Sequence, residues 1–220
     1  MTSALSAKRG RPKNLDNADH KKALILSVSS KIFAKYGYDH TDVNFVSDEL
    51  GIGKGTIYYY FQNKELLFLA TVDWLMQELL KSINLVISPE KDMLKVIEEA
   101  ILAYLSFFDT HPEFVELLIQ ERAIFKNREK PTYFKYKEQT SSQWKERYLE
   151  LIKDRRIRQI PVDQILDVIG DIVYGVVFTN HFSSRSKSMK QHAKDVIDIY
   201  FNGILSDSEK YNRNKGKVVK

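Results

Sequence analysis

Cysteine is absent from the 220 residues, which excludes a disulfide scaffold, a cysteine-ligated zinc and a thiol nucleophile. Glycine and proline are scarce, with nine and five copies, and no stretch alternates apolar and polar residues with the period of a strand. Without strands there is no place for a glycine-rich phosphate loop between strand and helix. No apolar run approaches the ~18 residues that a membrane-spanning helix needs. The N-terminus is polar and basic, without the apolar segment of a secretory signal, so a cytoplasmic protein with no membrane association is expected. Three positions before His20, His40, His111, His181 and His192 stand Asn17, Gly37, Phe108, Phe178 and Met189. No Glu-x-x-His pair of a di-metal bundle is therefore present. No catalytic residue, metal site or cofactor is assigned.

What is present is charge with an uneven distribution. The chain is 43% hydrophobic and 29% charged, ordinary for a globular protein, with a net charge of +5. Residues 1–64 hold ten Lys/Arg against six Asp/Glu, a net of +4, and residues 207–220 hold five against two, a net of +3. By subtraction the middle is near −2. A basic front end on a near-neutral body suits a polyanionic partner, although charge alone is equally compatible with a solvated surface carrying basic tails.

Helical periodicity runs almost throughout, so an all-α chain is expected. Residues 1–17, with "KRGRPK", read as a disordered basic arm. A first helix is predicted from about Asp19 to Tyr36, with Ile25, Val28, Ile32, Phe33 and Tyr36 on one face and Gly37 closing it. A short helix follows, capped by Thr41 or Asp42, with Val43, Val46 and Leu50 as its stripe. Beyond "GIG" comes another short helix, Lys54 to Tyr60, and then a long apolar one from Lys64 to about Val86. "SPEKD" predicts a start with Ser88 as N-cap and Pro89 at N1. Further helices are expected over about 112–126, 133–154, 161–182 and 188–205. The domain plan is a helix-turn-helix head over 18–64, a helical body over 65–206 and a disordered basic tail over 207–220.

The stretch "LGIGKGTIYYYFQNKELL", Leu50 to Leu67, is where chemistry concentrates. Two short helices joined by a glycine-containing turn, the second polar and aromatic, describe a helix-turn-helix over about 41–60, whose second helix enters the major groove. Gly51 suits the left-handed position after a helix end. Gly53 and Gly55 remove side chains where that helix must approach DNA closely. Lys54 and Thr56 stand in its first turn, where base edges are reached. Tyrosine hydroxyls donate to phosphate oxygens, and Lys64 opens the next helix, where its charge and free N–H groups both attract phosphate.

"TDVNFVSDELGIGKGTIYYYFQNKELL" resembles the DNA-binding head of the TetR/AcrR family of transcriptional regulators, over about Ala23 to Leu67. The carriers are Phe33 and Gly37, Thr41, Gly51-Ile52, "GTIYYYF", Lys64 and Leu66-Leu67. The family often has alanine where this chain has Ser47 and Leu50, and a serine or threonine where it has Gly53, so no capping or phosphate role is carried to Gly53. The resemblance implies base-edge contacts at Lys54, Gly55, Thr56 and Tyr59, and phosphate contacts at Thr41, Tyr58, Tyr60 and Lys64. Because one of three adjacent tyrosines has to face inward, burial of Tyr58 is the alternative, although Ile57 and Phe61 already fill that face. "KRGRPK" resembles an AT-hook core, which assigns Arg9 and Arg11 to the minor groove of A·T-rich DNA.

For the body, the resemblance implies a homodimer on a palindromic double-stranded operator, with half-sites ~34 Å apart. The apolar helices "PVDQILDVIGDIVYGVVFTNHF" and "MKQHAKDVIDIYFNGIL" are assigned to a four-helix interface through Ile165, Ile169, Ile172, Val176, Val196, Tyr200 and Ile204. A buried monomer core is the alternative. The family's effector pocket lies in the middle helices, and Phe108, Trp144, Tyr148, Tyr174 and Phe178 are taken as its lining, for a small apolar or aromatic effector. The function expected is a ligand-responsive transcriptional regulator, a repressor. A ligand-independent architectural DNA-binding protein and an all-helical enzyme are the alternatives.

Overall fold

The computed structural model describes residues 14–88, 92–183 and 187–202. Among them are nine α-helices and no strand: α1 Asn14–Tyr36, α2 Val43–Leu50, α3 Lys54–Phe61, α4 Lys64–Asn84, α5 Met93–Thr110, α6 Glu113–Ile124, α7 Thr132–Lys153, α8 Val162–Ser183 and α9 Met189–Asn202. Arg9, Arg11 and Ile204, with the expected arm core and basic tail, lie outside the described residues. Two boundaries differ from expectation. The α1 backbone is helical from Asn14 rather than Asp19. The cap of α5 is Asp92, which accepts from the N–H groups of Leu94 (3.0 Å) and Lys95 (3.3 Å). Ser88 does not fill that place, since an aspartate closer to the apolar run satisfies the same orphan donors.

Two compact units divide between Trp74 and Leu75. The first is α1–α3 with the opening turns of α4, so it extends past the boundary expected at residue 64. Leu67, Phe68, Thr71 and Val72 on α4 are fully buried, and Phe68 packs edge-on against Phe33 of α1 at 5.0 Å. Cutting at residue 64 would strip the head of that layer. Ile25, Ser29 and Phe33 form the innermost stripe of α1, while Tyr36, expected on it, is exposed and rests against Phe45 at 5.1 Å. Asp42 caps α2 by accepting from the N–H of Asn44 (2.8 Å), and Asn63 starts α4 by accepting from the N–H of Leu66 (2.8 Å).

The second unit holds the rest of α4 and α5–α9. α5 and α9 share its most extensive helix contact, and α7 and α8 pack against each other. Val96, Ile97, Leu105, Phe114, Leu117 and Leu151 are buried in its core. One charge is buried there too. Glu121 at the end of α6 accepts from the backbone N–H (3.0 Å) and hydroxyl (2.6 Å) of Thr132, the first residue of α7, and pairs with Arg128. A buried carboxylate is tolerated when its lone pairs are filled in this way, and here it ties the end of α6 to the start of α7. No described helix is long and apolar enough to cross a membrane.

Candidate nucleic-acid interface and interior cavity

The glycines of the α2–α3 turn have different duties. Gly51 takes a left-handed conformation (φ 61, ψ 32) and closes α2. Its N–H donates to the Asp48 carbonyl (3.2 Å) and that of Ile52 to the Ser47 carbonyl (3.0 Å), a Schellman closure. Gly53 has φ −68 and ψ 140, ordinary extended backbone. A Cβ built on Gly53 or Gly55 would meet nothing within 4 Å. Neither glycine is required by the packing of the head. Gly55 also lies in the first turn of α3, where glycine weakens a helix by roughly 0.5–1 kcal/mol relative to alanine. With no side chain at either position, the surface is open there.

Around that opening α3 divides cleanly into two faces. Ile57 and Phe61 are buried. Tyr59 is 82% exposed and Tyr58 36%, so Tyr58 does not turn into the core. Tyr60 is half-buried and stands edge-on to Tyr59 at 5.3 Å. The ammonium of Lys54 lies 5.8 Å above the Tyr58 ring and 3.2 Å from an Asp42 carboxylate oxygen. Asp42 therefore caps α2 and also pairs with the first residue of α3. The Asn44 N–H and then the Lys54 ammonium hold its carboxyl below the usual carboxylate range. Sequence reasoning took Asp42 as a cap and missed this second role, which a carboxylate twelve positions before a lysine does not signal.

Two of the expected phosphate contacts are corrected by the structure. Thr41 is 2% exposed, and its hydroxyl donates to the Gly37 carbonyl at 2.6 Å. A hydroxyl whose proton is already used has none to give a phosphate oxygen. Lys64 directs its ammonium at three backbone carbonyls, of Tyr38 (2.9 Å), Asp39 (3.3 Å) and Thr41 (3.3 Å), and lies 4.6 Å above the Tyr38 ring. Those bonds use all three of its protons. Lys64 therefore braces the α1–α2 turn rather than presenting its charge outward. The remaining set, Lys54, Gly55, Thr56, Tyr58, Tyr59 and Tyr60, shares α3.

The second unit contains a cavity of about 190 Å³ between α4, α5, α7 and α8. Of the aromatics expected to line it, Trp144 and Tyr148 do so. Phe108, Tyr174 and Phe178 are not among its walls. Phe108 stacks on Phe114 at 5.5 Å, and Tyr174 sits between Tyr133 (4.9 Å) and Phe178 (4.3 Å). These rings pack chiefly with one another, the competing use that aromatic density alone does not distinguish. The walls missed by sequence reasoning are apolar residues of α4 and α5, with Tyr104, Tyr133 and Lys137. The phenols form two pairs: Tyr104 donates to Tyr133 (3.1 Å) and Tyr200 to Tyr148 (3.0 Å).

Residues 25–71 match the family described as bacterial regulatory proteins, tetR family. The chain is 33% identical over 121 residues to the uncharacterized HTH-type transcriptional regulator YerO of Bacillus subtilis, covering 53% of this chain and 41% of YerO. It is 33% identical over 103 residues to YhgD of the same bacterium, covering 47% of this chain and 53% of YhgD. The chain thus spans about half the length of the curated relatives it matches. Among solved structures, FadR from Bacillus subtilis in complex with stearoyl-CoA superposes with a TM-score of 0.70 at 16% identity, over 83% of this chain and 98% of FadR. Over residues 25–71 the chain is similar to the tetR family, and its described helices share the fold of solved tetR-family structures.

In the second unit, several residues expected to meet a second copy face inward. Ile165 and Val196 are buried within the protomer, Ile169 lines the cavity, and Tyr200 donates to Tyr148. The apolar run of α8 is thus split between two faces, which sequence alone did not separate. Ile172 and Val176 are half-buried. The outward apolar residues are Val168 at 46% exposure and Phe182 at 69% on α8, and Ile199 at 50% on α9. Val168, Ile172, Gly175, Thr179 and Phe182 follow the i, i+4, i+7, i+11, i+14 spacing of a helix-pairing seam. A Cβ on Gly175 would meet nothing within 4 Å.

Proposed function

We propose that this protein is a sequence-specific, ligand-responsive regulator of transcription, a repressor released from its operator by a small effector. The observation that carries this reading is the outward face of α3: Lys54, Thr56 and Tyr59 flanking a Gly55 that the fold does not need. That face suits insertion into a major groove, with Lys54 and Thr56 at base edges, Tyr58 and Tyr60 at phosphates, and the Gly55 backbone against the DNA. Arg9 and Arg11 would extend contact into the minor groove. The effector site is the cavity of the second unit. FadR, of similar fold, was solved with stearoyl-CoA, which supports reading the cavity as a ligand site. Helix α4 supplies Leu67, Phe68 and Val72 to the head core, and Met76, Leu79 and Ile83 to the cavity wall. A ligand that prefers one α4 arrangement therefore biases the head through a shared helix. Coupling of ~1–3 kcal/mol would weaken operator binding about 5- to 150-fold. The findings point to a regulator family rather than to an enzyme, and a cytoplasmic location follows from that role.

The protein acts as a homodimer, with the outward seam of α8 and Ile199 of α9 as the interface. Selection of bound fragments from random double-stranded DNA tests the reading. A palindrome with half-sites about one turn apart is expected. Enrichment of A·T-rich fragments without a palindrome would assign binding to the arm alone, the architectural alternative. In sedimentation, Val168→Glu is expected to yield monomer with an unchanged helical spectrum. A variant that remains dimeric would move the interface elsewhere.

A further inference from the structure

The walls of the cavity differ in chemistry. Met76 and Leu79 of α4 and Ile97 and Ile101 of α5 make one side apolar. Along α7, Tyr133, Lys137, Ser141, Trp144 and Tyr148 line the other, at the three- and four-residue steps that place side chains on one helix face. Lys137 is the charged residue among the described lining, and no carboxylate is among them.

The Lys137 side chain folds over α8. A Cβ on Gly170 would come within 3.0 Å of its ammonium, so the glycine makes room for that cation at the cavity wall. No hydrogen bond or ion pair engages the ammonium among the described residues, whereas Lys130 and Lys145, which flank it in sequence, pair with Glu138 and Asp163. One turn before Lys137, Tyr133 accepts from Tyr104, which leaves the Tyr133 proton free to be donated. Burial pushes that phenol up to about 12, so it is a donor at neutral pH. The site has an excess of donors, a cation in no ion pair among the described residues, and an apolar wall opposite, with the Asp171 carboxylate near enough to act on Tyr133.

We infer that the cavity takes a small amphipathic anion, an apolar body ending in a carboxylate, with the carboxylate held by the Lys137 ammonium and the Tyr133 hydroxyl. This deepens the effector reading above and rests on it. A half-buried ammonium engaged by no ion pair among the described residues is the group that distinguishes an acid from an alcohol or amine of the same length. The apolar wall is indifferent to that distinction.

Calorimetry on the full chain with octanoate, octanol and octylamine tests the assignment. The wild type is expected to bind octanoate at least about tenfold more tightly than octanol, the scale of one charged hydrogen bond, and to bind octylamine most weakly. Lys137→Gln is expected to remove the preference while leaving octanol binding unchanged, which also reports an intact cavity. Tyr133→Phe is expected to reduce the preference by a smaller factor, and serves if the lysine variant fails to fold. Equal affinity for acid and alcohol, a preference that survives Lys137→Gln, or no binding of octanoate would overturn the inference. Release of selected operator DNA by octanoate is measured in parallel. Lys137-dependent binding without release would leave the anion site standing and overturn the ligand-responsive reading instead.

Discussion

Gly55→Ala separates what the head needs from what its partner needs. In the free protein the added methyl enters open space, since nothing lies within 4 Å of its position. Alanine in place of an α3 glycine should stabilise the head by about 0.5–1 kcal/mol, through the smaller backbone entropy lost on folding. For a chain of this size that is a rise in melting temperature of about 1–4 °C. On DNA the same methyl adds about 1.5 Å of carbon–carbon bond to a backbone proposed to lie against the groove. If the close approach is real, the complex must shift or strain, as overpacked interiors do at about 1–3 kcal/mol, a loss of about 5- to 150-fold in affinity. Thermal unfolding and fluorescence anisotropy on the selected operator, at one fixed salt concentration, read the two effects from one preparation. Opposite signs, a more stable protein that binds DNA worse, are the expected outcome. Stabilisation with undiminished DNA affinity would refute the placement of Gly55 against the groove. Destabilisation would mean that the space is not open.

Lys64→Ala removes an ammonium that three carbonyls share, and should lower stability by about 1.5–3 kcal/mol in denaturant unfolding. The slope of log affinity against log salt should stay unchanged, because this charge does not face phosphate; a slope flatter by about one unit would restore it as a phosphate contact. Asp42→Asn retains an N-cap of equal quality but deletes a negative charge beside Lys54. Affinity for DNA of any sequence should rise, with stability near that of the wild type; unchanged affinity would place Asp42 away from the DNA. Burial raises the pKa of Tyr133 from the ordinary 10.0 to about 12, and those of Tyr104 and Tyr148 upward as well. The unfolded chain then releases these protons first, so stability should fall as pH rises from 10 through 12. An absorbance titration should show these phenols ionising last and together with unfolding; early ionisation in the folded state would contradict their burial.

The order and type of elements were legible because strong local signals coincide along this chain. Gly51 and Gly37 end helices at positive φ, and Val43 and Val46 of α2, Ile57 and Phe61 of α3 and Leu67, Leu75 and Leu79 of α4 are buried as their spacing marks, while Leu66 is 41% exposed. Legibility failed where a residue type serves two uses with one local signature. Lys64 at a helix start reads as a phosphate ligand, yet the carbonyls of Tyr38, Asp39 and Thr41, more than twenty positions earlier, claim its protons. Asp92 outcompeted Ser88 as a cap because both are good acceptors and only the packing of α5 decides between them. Among the aromatics of the body, period and density are the same for a cavity wall and for a stacked core cluster. Phe108 and Trp144 differ in what stands opposite them, which is tertiary information.

The same contrast explains why the head was more legible than the body. The surface proposed to meet DNA presents unusual residues: glycines that relieve no internal clash, adjacent tyrosines, a lysine in a first helical turn. Each departs from what a core selects, so each stands out in the sequence. A cavity for an apolar ligand is lined by the residue types that would otherwise fill it, and Met76, Leu79, Ile97 and Ile101 look like any packed helix face. What marks the body's site is the polar exception. Lys137 is an ordinary lysine in sequence, one of several on α7. It becomes informative only when Gly170 of α8 is found beneath it and its neighbours Lys130 and Lys145 are found paired with acids while it is not. The chemistry of the proposed ligand is therefore best read from Lys137, the charged residue of the described cavity lining that no ion pair engages.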